Sequence, residues 1–367
     1  MTQAVDLPDW PGNGDPVPDA AVIRSLADAD GHVDEAGTWP EGLWRILVES
    51  GASRWTASAV STPGFDRSTI LARYGRVAEG SLTAAFILTQ HDSAVRHLAG
   101  AAGRGTETAR RWLDAIVAGE AFTTVGISQL TTSRRHGQVA VTAVETDDGG
   151  LVLNGVVPWV TAAPRADVFV TGGLLGDGRQ VLVALPANSP GVAVQPPFQL
   201  AALQASCTCE IKLNNVHVSA SEILAGPAEN VLASPGSAGT GGLETSALAL
   251  GQARAALLAL GGEASKREGL SDSIASLSAL WSGLAGDLFA ASQGHAEAPA
   301  PGAIRGRANA LVLRATQAYL TARKGTGFLR DEPAQRWARQ ALFFLVWSCP
   351  SPVATAAIRD LAGVCSL

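Results

Sequence analysis

The hydrophobic period of this chain changes twice, and that order constrains the fold more than any single motif does. From Asp19 to Gly119 apolar residues recur every three or four positions, as in Ala21, Ile23 and Leu26, then Trp44, Leu47 and Val48. That is the period of an amphipathic helix. Ser81–Gly100 has helix formers, no proline and a glycine stop, and Thr106–Ala118 has a Thr start and ends at Gly119, so both are predicted helices. From Ala121 the period falls to two. Short β-branched runs occupy Gly137–Val144, Leu151–Leu153, Val168–Thr171, Gln180–Ala184 and Ile211–Val218. Between them lie Asp147-Asp148-Gly149-Gly150, Asn154-Gly155 and Asp177-Gly178, which are hairpin-turn chemistry. After the Gly/Ser/Pro-rich stretch Ala233–Gly242 the helical period returns in Leu243–Leu260, Ser271–Gln293, Ile304–Ala322, Ala334–Trp347 and Val353–Ala362. Helices, then strands, then helices give an α+β chain in three parts: an N-terminal all-α domain (1–120), a small middle β-barrel or sandwich (121–232), and a C-terminal four-helix bundle (233–367).

Composition narrows the function classes. Apolar residues make up 47% and charged residues 16%, too little charge for a disordered chain. The net charge of −6 and the lack of a basic cluster argue against nucleic acid as a partner, since neutralising phosphates takes grouped Lys and Arg. No signal-peptide pattern opens the chain and no uninterrupted apolar run of membrane-spanning length stands out, so a cytoplasmic protein without a membrane partner is expected. Cys207 and Cys209 form a C-x-C pair with no neighbouring His or second pair, while Cys349 and Cys365 stand apart. Structural thiols are expected, and no metal site.

Five collinear segments resemble the acyl-CoA dehydrogenase superfamily. GTETARRWLDAIVAGE (Gly105–Glu120) resembles the segment before the family's β-domain, and VGISQLTTS (Val125–Ser133) its flavin loop. LVLNGVVPWVTAAPRADVFV (Leu151–Val170) is similar to its Asn-Gly…Trp-Val-Thr block. LQASCTCEIKLNNVHVSASEIL (Leu203–Leu224) resembles its Ser-x-Thr strand pair, and KGTGFLRDEPAQRWARQALFFLVW (Lys324–Trp347) its Gly-x-Gly-Phe turn and Arg-rich last helix. The resemblance implies bound FAD. A flavin ring needs a flat apolar slot with donors aimed where reduction places negative charge. Trp159 would then be the flat wall, Thr161 and Ser128 the hydroxyls beside the ring, and Ile127, Thr131, Thr132 and Ser133 the rest of the flavin loop. Arg267 resembles the arginine that reaches the FAD pyrophosphate of a neighbouring subunit, and a solvated helix-end charge is the competing reading. Gly325 belongs to the Gly-x-Gly turn, beside Arg323 and Lys324, which depart from the family pattern.

The catalytic base is the point of departure. Most relatives place a Glu after an aromatic residue in the last-helix region, and the resemblance puts Ser348 there, followed by Cys349 and Pro350. A serine hydroxyl is too weak a base for an α-proton. Some relatives carry the carboxylate seven residues before a helix glycine, and Glu244 in GLETSALALG stands seven residues before Gly251. Glu244 is therefore either the base, lodged in an apolar mouth, or an acidic residue placed at a helix start by the macrodipole. His91 and His97 read as core or solvated histidines, and His136, after Arg134 and Arg135, as a loop residue within reach of a carrier's phosphates.

The implied activity is α,β-desaturation of an acyl-CoA or acyl-carrier-protein thioester, with an electron-transfer partner and assembly as a homodimer or homotetramer. Two alternatives share the fold: an oxygen-using flavoenzyme, and a non-catalytic partner subunit of a mixed assembly.

Overall fold

The computed structural model describes residues 7–11, 18–34, 37–57, 67–131, 139–233, 242–264, 266–267, 269–347 and 351–364. The N-terminal domain holds α1 (Ala20–Val33), α2 (Glu41–Glu49), α3 (Arg67–Gly80), α4 (Leu82–Gly103) and α5 (Glu107–Ala118). Asp19 caps α1 by accepting from the amides of Ala21 and Val22, and Ser81 caps α4 through the Ala84 amide. α5 ends at Gly119 in the left-handed region (φ 77°), a conformation glycine adopts without Cβ strain. α4 is buried on most sides, including its polar residues Thr83, Thr89, His91, Asp92 and His97. It is the central helix of this domain.

The middle domain has eight strands: β1 (Thr123–Gly126), β2 (Val141–Glu145), β3 (Leu151–Val160), β4 (Val168–Leu174), β5 (Gln180–Pro186), β6 (Val192–Val194), β7 (Cys209–Val218) and β8 (Ile223–Ala228). Their order is β6-β7-β3-β2-β4-β5-β8, with β1 added parallel to β4. β2 meets β4 at one register pair, Thr142 with Leu174, so two antiparallel halves hinge there. Val141, Leu153, Val157 and Ile211 of one half share a core with Phe169, Val181, Val183 and Leu185 of the other. The outer face of β4 and β5 packs Val168, Val170, Leu182 and Ala184 against Val95 and Leu98 of α4. Every residue of β4 is consequently buried.

Two predicted elements have different ends. Asn154-Gly155 is not a turn: β3 runs through it to Val160 as a bulge against β7. Gly155 takes φ 131° with the Ala140 carbonyl against its Cα, and Asn154 Oδ1 accepts the Asn215 amide at 2.8 Å. The predicted Asp-Gly turns at 147–150 and 177–178 do close hairpins, with Gly149 and Gly178 at positive φ. The predicted helix Ala334–Trp347 stops at Ala341 and continues as a 3-10 segment. Side chains of the preceding helix take its carbonyls: Asn309 donates to Phe344 O (2.8 Å) and Arg305 to Trp347 O (2.7 Å).

The C-terminal bundle comprises α6 (Leu243–Ala264), α7 (Ser271–Ser292), α8 (Pro301–Arg323), α9 (Pro333–Ala341) and α10 (Ser351–Leu361). α7 is long and apolar enough, by length and mean hydropathy, to cross a membrane, a feature the sequence reading passed over. Its inner face nevertheless packs Ile274, Trp281, Leu284 and Leu288 into the bundle core.

α3 and α6 cross where Gly251 meets Gly75. A Cβ on Gly251 would fall 2.8 Å from Ala78 Cβ and 2.9 Å from the Gly75 carbonyl carbon, too close for any side chain. Ion pairs bracket the crossing, Arg67–Glu244 (3.3 Å) before it and Glu79–Arg254 (2.8 Å) after it, so the two helices run in the same sense. The second pair is buried, Glu79 also accepts the Trp10 indole N–H at 2.5 Å, and the Trp10 ring lies over Gly75. α9 ties the domains together: Arg336 pairs with Asp30 of α1 (3.1 Å), and Arg339 pairs with Asp34 and donates to Ala201 O of the β-domain (2.9 Å).

Candidate active site

The predicted flavin-side residues come together where β1 and β3 end. Thr124 of β1 donates to Thr161 O at 2.8 Å, and Gly126 lies against Val157 and Val160, leaving no room for a Cβ. The chain then passes through Ile127 into a helical turn, Ser128–Thr131. Gln129 anchors that turn from inside, its amide donating to Gly126 O (3.0 Å), Thr171 Oγ1 (3.0 Å) and Gly172 O (2.9 Å). Thr131 donates to Ser128 O at 3.1 Å. Thr132, Ser133, Arg134, Arg135 and His136 lie outside the described residues.

Thr161 is buried, and its hydroxyl lies 3.3 Å from that of Thr208, which lies 2.9 Å from that of Ser206. Two residues earlier Trp159 is 56% exposed, its ring tilted against Phe198 at 4.7 Å between centroids. The Ser128 hydroxyl is buried with no hydrogen-bond partner among the described residues, an arrangement that costs free energy unless something completes it. An open indole face, a row of buried hydroxyls and an orphaned hydroxyl beside a strand end fit a flat, polar-edged ring such as a flavin. Ser206 and Thr208 were visible in the sequence as the Ser-x-Thr centre but were not placed in the site.

A second cluster, drawn from α3, α4 and α6, is a charged line. Tyr74 of α3 donates to Asp92 of α4 (2.6 Å) and lies 3.3 Å from Thr56, and Arg96 donates to Tyr74 at 3.3 Å. Burial pushes the Asp92 carboxyl up and the Tyr74 hydroxyl well up. Burial opposes the charge on Arg96, yet Tyr74, Glu244 and Asp92 outweigh it and hold the guanidinium firmly protonated. Glu244, 20% exposed at its side chain, pairs directly with the half-exposed Arg67. The carboxylate expected alone in an apolar mouth therefore sits among cations. Its Oε1 accepts from Arg67, and its Oε2 rests on Gly242.

α4 joins the two halves. His91, next to Asp92, places Nδ1 3.0 Å from Thr123 O of β1 and Nε2 3.2 Å from Ser53 O. Both His91 and His97 are buried, as core histidines should be, and burial drives both pKa values down, that of His97 to about 4 with help from Arg96 and Arg104.

The remaining predicted residues lie elsewhere. Arg267 pairs with Glu263 (3.5 Å) at the far end of α6, and Arg323 bridges Glu263 (3.1 Å) and Glu332 (2.7 Å) beside Gly325. At about 1.5 Å per residue that end is roughly 30 Å from Glu244, so one chain does not bring Arg267 or Gly325 to it. Ser348, Cys349 and Cys365 lie outside the described residues, while Cys207 and Cys209 are buried free thiols. No group of three or more potential metal ligands occurs among the described residues.

No protein-family model matches the chain. Among solved structures, butyryl-CoA dehydrogenase from Megasphaera elsdenii superposes with a TM-score of 0.77 at 17% identity, covering 97% of this chain and 100% of that one. The probable acyl-CoA dehydrogenase YngJ of Bacillus subtilis (strain 168) is 28% identical over 182 residues, 48% of each chain. The chain has the acyl-CoA dehydrogenase fold and is similar in sequence to acyl-CoA dehydrogenases over part of its length. Benzylmalonyl-CoA dehydrogenase of Aromatoleum aromaticum (strain DSM 19018 / LMG 30748 / EbN1) is 27% identical over 239 residues, 62% of this chain and 60% of that protein. These two matches thus span about half to three fifths of the relatives' own length. The fold hosts other chemistry as well: KijD3, solved with FMN and dTDP-3-amino-2,3,6-trideoxy-4-keto-3-methyl-D-glucose, superposes with a TM-score of 0.77 at 19% identity, covering 100% of this chain and 97% of that one.

Proposed function

We propose that this protein is an FAD-dependent acyl-thioester dehydrogenase in which Glu244 is the base. The observation that carries the reading is the placement of Glu244. It is a partly buried carboxylate at the start of α6, with one oxygen held by Arg67 and the other without a hydrogen-bond partner among the described residues. Ser348, aligned by resemblance with the usual glutamate, offers no comparable base. Ile127, Ser128, Thr131, Trp159 and Thr161 would hold the flavin, with Thr132 and Ser133 completing the loop. Bound FAD supplies a hydride acceptor. The chain's own residues do the rest: Trp159 and Phe198 wall the ring, Thr161 and Ser128 offer hydroxyls to its polar edge, and Glu244 takes the α-proton. The substrate is an acyl-CoA or acyl-carrier-protein thioester, the reduced enzyme passes electrons to a partner protein, and the chain assembles as a homodimer or homotetramer.

The test is Glu244→Gln. It should keep bound FAD and lose anaerobic reduction by acyl-CoA by about 10²–10⁴-fold, the usual loss on removing a general base. Reduction at the wild-type rate would refute the assignment. A second reading is an oxygen-using flavoenzyme needing no carboxylate, since the same fold in KijD3 holds FMN with a nucleotide sugar rather than an acyl-CoA. It predicts no reduction by any acyl-CoA and rapid reoxidation by O₂ once the flavin is reduced chemically. A non-catalytic partner subunit would instead bind FAD poorly alone.

A further inference from the structure

We infer that Arg67 and Gly242 are positioning residues that present Oε2 of Glu244 as the proton-accepting oxygen, an inference that rests on Glu244 being the base. The two carboxylate oxygens have different surroundings. Oε1 accepts from Arg67 Nη2 at 3.3 Å. Oε2 lies against the Cα of Gly242, and any Cβ built there would overlap it while standing 3.7 Å from Arg67 Nη2. A guanidinium on one oxygen and a bare backbone under the other fix the carboxylate's rotation about its last bond. Oε2 is the oxygen without a hydrogen-bond partner among the described residues.

The helix crossing explains why Arg67 is within reach. Gly75 and Gly251 let α3 and α6 touch, and the buried Glu79–Arg254 pair with the Trp10 indole locks the contact beyond it. Eight residues before Gly75 stands Arg67, and seven before Gly251 stands Glu244. Two turns of each parallel helix therefore carry the pair to the same level. Arg96, coupled electrostatically to Glu244 from α4, adds a second cation below.

In the reaction the α C–H bond of the thioester breaks and its proton goes to Oε2. The electron pair left behind forms the α,β double bond as the β-hydrogen departs as hydride to the flavin. A misplaced carboxylate slows that step without changing how the thioester binds, and displacements near 1 Å can cost about 10²-fold. Gly242→Ala is a sharp probe, because the atom it displaces is the tip of a flexible side chain and the backbone need not move. Arg67 is half exposed, so its loss leaves the fold largely intact.

The experiment compares flavin-loaded wild type, Gly242→Ala, Arg67→Met, Arg67→Lys and Glu244→Gln, using whichever acyl-CoA bleaches the wild-type flavin. FAD content and apparent Tm are checked first. Washout of an α-deuterium into solvent from the enzyme with its flavin already reduced reads the proton step apart from hydride transfer. Gly242→Ala and Arg67→Met should lower kcat and the washout rate together by roughly 10- to 100-fold with KM within about twofold, and Arg67→Lys should recover part of the loss. If Glu244→Gln is inactive while either Gly242→Ala or Arg67→Met stays within about twofold of wild type in kcat, the positioning is wrong and the base assignment survives. Should Glu244→Gln turn over at the wild-type rate, both fall together.

Discussion

Gly251→Ala and Gly262→Ala make the same chemical change on one helix, α6, and should move stability in opposite directions. In a helix interior Ala is favoured over Gly by about 0.8–1 kcal/mol. At Gly262 nothing lies within 4 Å of the added Cβ, so that gain should appear, reduced somewhat by its place near the helix end. At Gly251 the Cβ meets the Gly75 carbonyl and sits 2.8 Å from Ala78 Cβ. Backbone cannot rotate away as a side chain can, so α3 and α6 must separate. Overpacking of this kind costs about 1–3 kcal/mol, and separation also stretches the buried Glu79–Arg254 pair. After the propensity gain, a net loss of about 2 kcal/mol is expected at Gly251, leaving the two variants roughly 3 kcal/mol apart. Urea unfolding of both proteins in the same flavin-loaded state reads the difference as a shift in midpoint at constant slope. Gly251→Ala should also lose dehydrogenation, because Arg67 and Glu244 part with the helices. Equal midpoints would refute the idea that this crossing is set by backbone contact.

Three further outcomes follow from the geometry. His97 is depressed from 6.5 to about 4, chiefly by burial. Its contribution is therefore complete above pH 6.5 and is lost as pH falls toward 4, amounting to roughly 2 kcal/mol at pH 5. His97→Leu should flatten the stability-against-pH curve in that window, and an unchanged curve would contradict the burial argument. Arg336→Met strands Asp30 in the interior and should cost about 3–5 kcal/mol in denaturant unfolding, whereas a loss under about 1 kcal/mol would show the pair to be dispensable. Thr161→Val should weaken FAD binding about tenfold in a dialysis titration, and unaltered affinity would remove Thr161 from the flavin site.

How much of this was legible in the sequence depended on range. The change from helical to alternating period located the β-domain, and Ser81, Gly119 and the Asp-Gly turns set boundaries through local chemistry. Asn154-Gly155 misled because a bulge and a hairpin turn ask the same thing of glycine, a positive φ, and only the partner strand tells them apart. The end of α9 was hidden because Asn309 and Arg305, over thirty residues upstream, take the carbonyls of Phe344 and Trp347. In the site, Glu244 and the Trp159–Thr161 stretch could be named from short segments. Arg67, Tyr74, Asp92 and Arg96 could not, since each helix pattern is ordinary alone and their meeting is a property of how α3, α4 and α6 cross. The Arg-rich last helix, conspicuous in sequence, stitches α1 and the β-domain together rather than touching the candidate site.

The visible spectrum of the purified protein, titrated anaerobically with a panel of acyl-CoAs, tests the central claim most directly. Absorbance near about 450 nm that bleaches with at least one acyl-CoA is the predicted result. A protein that is colourless and takes up no added FAD, or a flavin that no acyl-CoA reduces, would contradict it.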